Sequence, residues 1–410
     1  MREFKKHGNH TYAILFLRIQ DGSKVEQVIN DLNSIWQMYE QLKKGKVASL
    51  DKCSAPNRGL SVLIGYGPEV FKMPGITKSI PRDFAGMQFL RPINGKPILD
   101  GCGINYSEQS CQNVGNSEHI AIQIISGSQL GTFRAIVETW QLLHDKPRDD
   151  HCLQLSKYFT GFQRDDGRSW LGFHDEVSNM KNAKDRRDAV AIDRTSNQLK
   201  PDDYWTEGGT YMGFIRIEID LETWNRIGRK AQELIVGRDK ISGSPIIGLD
   251  KKGDLIIEKG YDGVDPAEFY DIKFHEHPDY LKISKFRTAK NIDIEKSRNM
   301  LIQTHIGRTR HISNIASKDP SSRRIYRQGF EFIEPNPNGG KPFKLGLNFI
   351  SFQNDPRRLI FILTDPRWMG KSNFGGPDGL FNNKVMSVIS AGMFFIPVAE
   401  KPFPGYSLFH

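Results

Sequence analysis

The sequence predicts an α+β protein built from two similar halves. With 410 residues, the chain is long enough for two or three domains of ~100–200 residues each. Its first ~150 residues alternate strand-like and helix-like segments, and a similar strand, helix, strand order begins again at Tyr211. The repeat is one of element order and not of residue identity, which is the pattern left by an old duplication.

The first half opens with a strand and a helix. Thr11 to Ile19 is rich in β-forming residues. In the segment that follows, Ser23 and Glu26 have the spacing of a capping box, and Gly45 after two lysines predicts the end of a helix. Its apolar residues recur at helical spacing: Val25, Val28, Leu32, Ile35, Trp36, Tyr39 and Leu42.

Two further strands and a second helix complete this half. The strands are predicted at Ser61 to Tyr66 and at Ile120 to Ile125. The second helix carries apolar residues at Leu130, Phe133, Val137 and Trp140. The first ~150 residues therefore predict an antiparallel sheet with helices on one face.

The second half follows a glycine- and aspartate-rich passage at Thr160 to Gly167. Its predicted elements are a strand at Tyr211 to Ile219, a helix from Leu221, a strand at Leu345 to Phe352 and a last strand at Gly392 to Pro397. Between them, the polar region Gly248 to Ser322 is too long for an ordinary connection. Long insertions over a sheet often build a site.

Composition excludes a disordered tail and a membrane span. Charged residues make up 26% of the chain and its mean hydropathy is -0.50. There are 57 Lys and Arg against 48 Asp and Glu, a net charge of +9 that attracts anionic partners without identifying one. Because Met1 to His10 is charged and lacks an apolar run, we expect a cytoplasmic protein.

Cysteine usage argues against a zinc knuckle and a disulfide framework. The four cysteines form no C-x-x-C pair and do not cluster with histidine. We therefore expect reduced thiols at Cys53, Cys102, Cys111 and Cys152.

The first candidate for chemistry is the segment Gly172 to Asn179. Asp175 lies in it between aromatic and polar turn-forming residues. One interpretation makes this carboxylate a general base. The other makes it a turn residue that accepts hydrogen bonds from nearby backbone N–H groups.

The second candidate is Thr304 to His311, where His305 is followed by Arg308 and Arg310. Such a histidine either binds a metal while the guanidinium groups bind carboxylates or phosphates, or it belongs to a solvated basic loop. Taken alone, the residues favour the loop.

The third candidate, Ser322 to Phe332, combines three arginines with aromatic residues. The pattern is compatible with a nucleic-acid surface and also with one buried arginine among exposed ones.

In their order along the chain, these segments resemble dye-decolorizing peroxidases. The resemblance lies in a Gly-x-x-Asp element at Gly172 to Asp175, a His-Ile-x-Arg element at His305 to Arg308 and an Arg-x-Gly element at Arg327 to Gly329. The supporting stretches are Gly209 to Met212, Asp220 to Trp224, Gln232 to Arg238 and Gly346 to Gln353. The similarity extends roughly from Gly161 to Pro397.

The resemblance implies a haem protein of two ferredoxin-like domains, at residues 1–160 and 161–410, each with an antiparallel β-sheet packed against α-helices. Haem b (iron protoporphyrin IX) would be held mainly by the second domain. By motif, His305 would be the proximal iron ligand, Asp175 the distal acid/base and Arg327 the distal arginine. Leu347 and Phe349 would face the haem.

Two parts of the site stay open at this stage. Arg308 and Arg310 either bind haem propionates or are surface charges. Glu176 stands where the family usually has glycine. It either points to solvent or raises the pKa of Asp175 by like-charge repulsion.

The implied activity is oxidation of dyes and phenolic compounds by hydrogen peroxide through a high-valent iron-oxo intermediate. The expected partners are therefore peroxide and an organic reducing substrate, with no nucleic acid, no membrane and a homo-oligomer as an option. The alternative is a non-catalytic haem-binding protein for storage, sensing or transfer. An aspartate with an ordinary pKa near ~3.9 predicts an acidic optimum.

Overall fold

A nine-stranded sheet organises the fold. The computed structural model describes residues 10–47, 58–81, 103–106, 118–144, 151–164, 166–174, 179–180, 182–241, 243–244, 246–257, 304–305, 324–336, 339–359 and 385–410. No helix in these ranges has the length and apolar character needed to cross a membrane.

The described elements alternate strands and helices along the chain. The strands are β1 (Thr11–Ile19), β2 (Ser61–Tyr66), β3 (Gly103–Tyr106), β4 (Ile120–Ser126), β5 (Leu153–Phe162), β6 (Thr210–Ile219), β7 (Ile246–Leu249), β8 (Leu255–Ile257), β9 (Tyr326–Pro335), β10 (Phe343–Gln353) and β11 (Met386–Ile396). The helices are α1 (Val25–Lys43), α2 (Gln129–His144), α3 (Ala183–Val190), α4 (Leu221–Arg226) and α5 (Arg229–Val236).

The two halves of the sheet have the same strand order. The first half is ordered β2-β4-β1-β5 and the second β9-β10-β6-β11, with β3 added at the edge of β11. In each half the order is second, third, first, fourth strand, and all pairs are antiparallel. With helices after the first strand of each half, this is the ferredoxin-like arrangement. The predicted α+β class and the two similar halves are confirmed.

Single residue pairs join the halves at both ends. Phe162 of β5 pairs with Glu331 of β9, and Phe395 of β11 pairs with Tyr66 of β2. The sheet therefore closes on itself, which leaves few unpaired strand edges. Its interior is filled by aromatic side chains from both halves, including Tyr12, Phe16, Phe159, Phe214, Phe330 and Phe394.

In the second half, the strand register places polar and apolar side chains on one side of β9 and β10, which we call the mixed face. On β10, Phe349 lies opposite Gly329 and Leu347 lies opposite Glu331. Ser351 lies opposite Arg327. Because directly opposed residues share a face of the sheet, Arg327, Leu347 and Phe349 project on the same side, away from the aromatic interior.

The start of α1 differs from the sequence prediction by one residue. The N-cap is Lys24, and the Gln27 side chain accepts a 2.9 Å hydrogen bond from its backbone N–H. The hydroxyl of Ser23 donates instead to the carbonyl of Gln20. The capping box predicted at Ser23 and Glu26 is therefore wrong, whereas Gly45 ends the helix with a φ of 76°, as predicted.

A buried polar cluster ties α1 to β5. Asp31 accepts hydrogen bonds from the backbone N–H groups of Cys152 (2.8 Å) and Leu153 (3.0 Å), and it lies 2.5 Å from His151 Nδ1. Burial, reinforced by the Asp31 carboxylate, raises the pKa of Cys152 to about 12. The thiol therefore stays protonated and unreactive at neutral pH.

Candidate active site

Arg327, Leu347 and Phe349 are the predicted site residues that the structure brings together. All three are half-buried on the mixed face of β9 and β10. The β6 residues beside them, Ile215 and Ile217, are buried. The face thus combines an apolar floor, two accessible apolar side chains and one guanidinium group.

Ser351 adds a polar atom to this face. Its hydroxyl is buried, and within the described ranges it has no hydrogen-bond partner. Gly213 lies opposite Ser351 on β6, and a Cβ at that glycine would come within 2.7 Å of Ser351 Oγ. The same Cβ would come within 2.4 Å of Leu359 Cδ2, so glycine is needed there to leave room for both side chains.

The turn that leads to Asp175 is held by backbone contacts and a small core. Gly172 has a φ of 85°, in the region that favours glycine. The indole N–H of Trp224 donates to the carbonyl of Leu171 at 3.1 Å, and Phe173 packs edge-on against the Trp224 ring. Trp224 of α4 therefore holds Leu171 and Phe173, which precede Asp175 in the chain.

Arg168 braces the same turn. Its Nη1 donates to the carbonyls of Gly172 (2.7 Å) and Lys240 (2.6 Å), while Nη2 donates to the carbonyl of Ile241 (2.8 Å). Nη2 also lies 2.8 Å from His174 Nε2. Burial, together with the Arg168 charge, lowers the pKa of His174, so this imidazole is neutral at pH 7.

The segment between Trp170 and Asn179 is anchored to β9 at both ends. Trp170 donates from its backbone N–H to Glu331 Oε1 (3.3 Å) and from its indole to the carbonyl of Phe332 (3.1 Å). Asn179 donates to the carbonyl of Arg327 (2.6 Å) and accepts from its N–H (3.1 Å). The two anchors lie about four residues apart on β9, or ~13 Å.

His305 is positioned through the residue before it. Thr304 is buried and packs on Gly237, the left-handed residue that ends α5. A Cβ at Gly237 would lie 2.9 Å from Thr304 Cβ. His305 itself is half-buried. Because Ile235 of α5 packs with Phe173, the same helix supports the turn before Asp175.

Four residues of the predicted site fall outside the ranges given above for the structure. Asp175, Glu176, Arg308 and Arg310 lie outside the described residues. Their roles remain predictions.

Sequence reasoning missed the residues that brace the site. Arg168 lies outside the three candidate segments, and Thr304 and Glu331 lie within the second and third but carry no sign of a bracing role. Asn179 had a signal, because it closes the Gly172 to Asn179 segment, but its partner on β9 is 148 residues away in sequence.

A family model matches the second half of the chain. The model describes the C-terminal part of Dyp-type peroxidases and matches residues 166–401. Among curated proteins, a deferrochelatase from Escherichia coli is 25% identical over 185 residues, which are 45% of this chain and 34% of that protein. The match thus spans about a third of the relative's length.

Solved structures share the fold over almost the whole chain. Ferric DtpA from Streptomyces lividans has a TM-score of 0.65 at 18% identity and covers 98% of this chain and 93% of its own. A DypB variant from Rhodococcus jostii in complex with heme has a TM-score of 0.55 at 14% identity, covering 95% and 93%. At these identities the likeness concerns the fold.

Proposed function

The chain belongs to the Dyp-type peroxidase family, and on that premise we propose that it is a haem peroxidase that uses hydrogen peroxide to oxidise organic substrates such as dyes and phenols. The observation that carries the proposal is the mixed face of β9 and β10, where Arg327 lies beside the accessible Leu347 and Phe349. We also propose a domain division near residue 160, toward the end of β5.

The residues of this face fit haem, the cofactor of the family. A flat macrocycle needs an apolar surface, and Leu347 and Phe349 provide accessible apolar side chains over a buried floor. Iron takes an imidazole ligand, the role proposed for His305. Arg308 and Arg310 are proposed to bind the propionates. When bound, the haem iron supplies the redox chemistry of peroxide reduction.

Asp175 is proposed as the general acid/base. Its carboxylate takes a proton from one oxygen of hydrogen peroxide and returns it to the other, directly or through a water. The anchors of the segment on either side support this role, because Asn179 is bonded to the backbone of Arg327 and Trp170 to β9. A carboxylate in this role acts at lower pH than an imidazole does.

Arg327 is proposed to stabilise the negative charge that builds on the departing oxygen. A fixed cation does this best where it needs no rearrangement during the reaction. The backbone of Arg327 is held by hydrogen bonds to β10 and to Asn179, so the guanidinium group extends from a fixed backbone position. Arg327 thus stabilises negative charge, and Asp175 transfers protons.

Asp175→Asn tests the function directly. The amide keeps the size of the side chain but cannot accept the proton, so we expect haem to be retained and peroxide to react 10²–10⁴-fold more slowly. Stopped-flow absorption with hydrogen peroxide measures this rate. Glu176→Gln is the matched control, because it makes the same carboxylate-to-amide change at the neighbouring residue and leaves Asp175 in place to accept the proton. An unchanged rate in Asp175→Asn would reject the proposed acid/base.

Iron release from haem is a second candidate function. It is favoured by the name deferrochelatase that the curated relatives carry. Incubating the haem-loaded protein and measuring the fluorescence of iron-free porphyrin separates the candidates. Porphyrin formation without peroxide turnover supports iron release, and turnover with haem intact supports the peroxidase.

A further inference from the structure

Arg168 and His174 pair across a short β-hairpin that leads into Asp175. They form an isolated antiparallel bridge, and the N–H of Ser169 donates to the carbonyl of Phe173 at 2.9 Å. Asp175 is the next residue after His174 in the chain. The backbone of this hairpin therefore determines where the chain lies immediately before the proposed acid/base.

The guanidinium group of Arg168 joins this hairpin to a second segment. Of the carbonyls that accept its hydrogen bonds, Gly172 belongs to the hairpin, whereas Lys240 and Ile241 belong to the loop after α5. The N–H groups of a guanidinium lie in one rigid plane, so a single arginine can hold two backbone segments at a set separation. The single nitrogen atom of a lysine could not span both.

The loop after α5 is itself held by hydrogen bonds. The N–H of Lys240 donates to Glu233 Oε1 (3.0 Å), and the N–H of Asp239 donates to the carbonyl of Ser244 (2.8 Å). The side chain of Arg229 on α5 also donates to Asp239 (2.9 Å). Because these bonds link the described residues of the loop to one another and to α5, a displacement at Lys240 is passed along the loop.

The first residue of the same loop contacts the segment of the proposed iron ligand. Gly237, which ends α5, packs on Thr304, and Thr304 directly precedes His305. The contact is tight, since a Cβ on Gly237 would approach Thr304 to 2.9 Å. The loop therefore contacts the hairpin before Asp175, through Arg168, and also the residue before His305.

We propose that Arg168 is a positioning residue for the peroxidase reaction, which fixes the hairpin before Asp175 relative to the segment of His305 by way of the loop after α5. The inference rests on the function proposed above. Arg168 acts through backbone carbonyls and not through its charge. A shift of about 1 Å in a reacting group can cost about 10²-fold in rate, so loss of this link should affect both sides of the site.

Arg168→Ala tests the proposal in the haem-loaded full chain. We expect the second-order rate with hydrogen peroxide to fall ~10–10²-fold, and the iron–histidine stretching band in the resonance Raman spectrum of the reduced protein to shift or broaden. Arg194→Ala, which removes an exposed arginine paired with Glu207, is the matched control and should change neither. If either the rate or the band is unchanged in Arg168→Ala, the residue does not serve both sides of the site and the proposal is overturned.

Arg168→Lys separates geometry from charge and from folding. It keeps the positive charge and a long side chain, but its ammonium group cannot donate to the hairpin and the loop together. We therefore expect the same two changes as in Arg168→Ala, with far-ultraviolet circular dichroism equal to that of the wild type. A lysine variant with the wild-type rate and band would contradict the geometric role.

A double variant tests the route through the loop. Gly237→Ala presses on Thr304 from the other end of the loop, so its effect and that of Arg168→Ala should not be independent. The fold-loss of haem affinity in the double variant should be smaller than the product of the two single losses, and a loss equal to that product would overturn the route. Haem affinity is measured without peroxide. A chain that binds haem but does not react with peroxide would therefore reject the proposed function and still give a result for this test.

Discussion

The two halves of the sheet share a strand order but differ in how their outer faces are covered. In the first half the 19-residue helix α1 packs on the sheet, and the outward residues Ile122 and Leu15 are fully buried. In the second half the helices after β6 are six and eight residues long, and Leu347 and Phe349 stay accessible. Among the described elements, the shorter helices of the second half go with a face whose apolar side chains are half-buried.

Polar residues of the two halves also differ in burial. In the first half, Asp31, His151 and Cys152 are buried against one another, and the thiol is kept protonated. In the second half, Arg327 and His305 are half-buried. Residue types that suit catalysis therefore occur in both halves, and of these five residues the three in the first half are buried whereas the two in the second half are half-buried. Accessibility, and not residue type, separates a structural cluster from a candidate site.

Removing a histidine from each half gives the largest expected contrast. His305→Ala should lose most of its haem, because the proposed iron ligand is gone. His144→Ala, in the first half, should retain haem at the wild-type level. The ratio of haem absorbance to protein absorbance after reconstitution measures both. Full haem retention in His305→Ala would remove this residue from the site.

Arg327→Leu should separate binding from chemistry. We expect haem to be retained and the second-order rate with hydrogen peroxide to fall about 10²–10³-fold, the usual cost of losing one charge-stabilising group. Arg194→Leu, which removes an exposed arginine paired with Glu207, is the control and should react normally. A normal rate in Arg327→Leu would move the charge-stabilising role to another residue.

Asn179→Ala tests whether the anchoring of Arg327 matters. The variant loses both bonds to the Arg327 backbone, and we expect the peroxide rate to fall about 10-fold with a stability loss of about 1–3 kcal/mol. Asn197→Ala is matched, because it also loses two backbone bonds, with Asp193 and Asn354. Stopped-flow rates and urea unfolding measure the two effects. Equal rates in both variants would make Asn179 merely structural.

Two glycines with positive φ separate the stability lost through backbone conformation from the stability lost through packing. Gly22→Ala has open space around its new Cβ and should lose about 1 kcal/mol through its positive φ. Gly237→Ala also meets Thr304 at 2.9 Å, so we expect a loss of about 2–3 kcal/mol and weaker haem binding. Urea unfolding and haem titration measure these changes. Identical behaviour of the two variants would argue against a positioning role for Thr304.

The smallest expected effect is a pH dependence at His174. Burial and Arg168 lower the pKa of this imidazole, so below the unfolded-state value of ~6.5 the unfolded chain binds the extra proton more readily. Stability should therefore fall as pH drops below about 6.5. His174→Gln should lack this part of the decline, and His144→Gln should keep it. Urea unfolding at pH 7.5 and 5.5 compares the three proteins.

Local periodicity accounts for much of the fold. The apolar pattern of Thr11 to Ile19 and of α1 predicted both elements. It did not reveal β9, because Tyr326–Pro335 follows Arg323 and Arg324 and itself carries Arg327, so that the stretch looks like a charged surface. For α2 the helix was predicted, but periodicity could not tell which side faces the core, and the apolar side faces solvent.

The candidate site depended on contacts that sequence cannot display. Arg327, Leu347 and Phe349 were predicted by resemblance, and strand register brings them to one face. Arg168 and Asn179 act through hydrogen bonds to backbone groups far along the chain, and such partners follow from the fold and not from side-chain type. Asp175 remains a prediction supported by its anchored neighbours.

The most direct test of the account is an absorption spectrum of the haem-loaded protein before and after one equivalent of hydrogen peroxide. We predict that haem binds, that its main band shifts rapidly on adding peroxide, and that the original spectrum returns when an electron donor is supplied. A bound haem that is indifferent to peroxide, or a protein that binds no haem, would contradict the claim that the second half forms a peroxidase site.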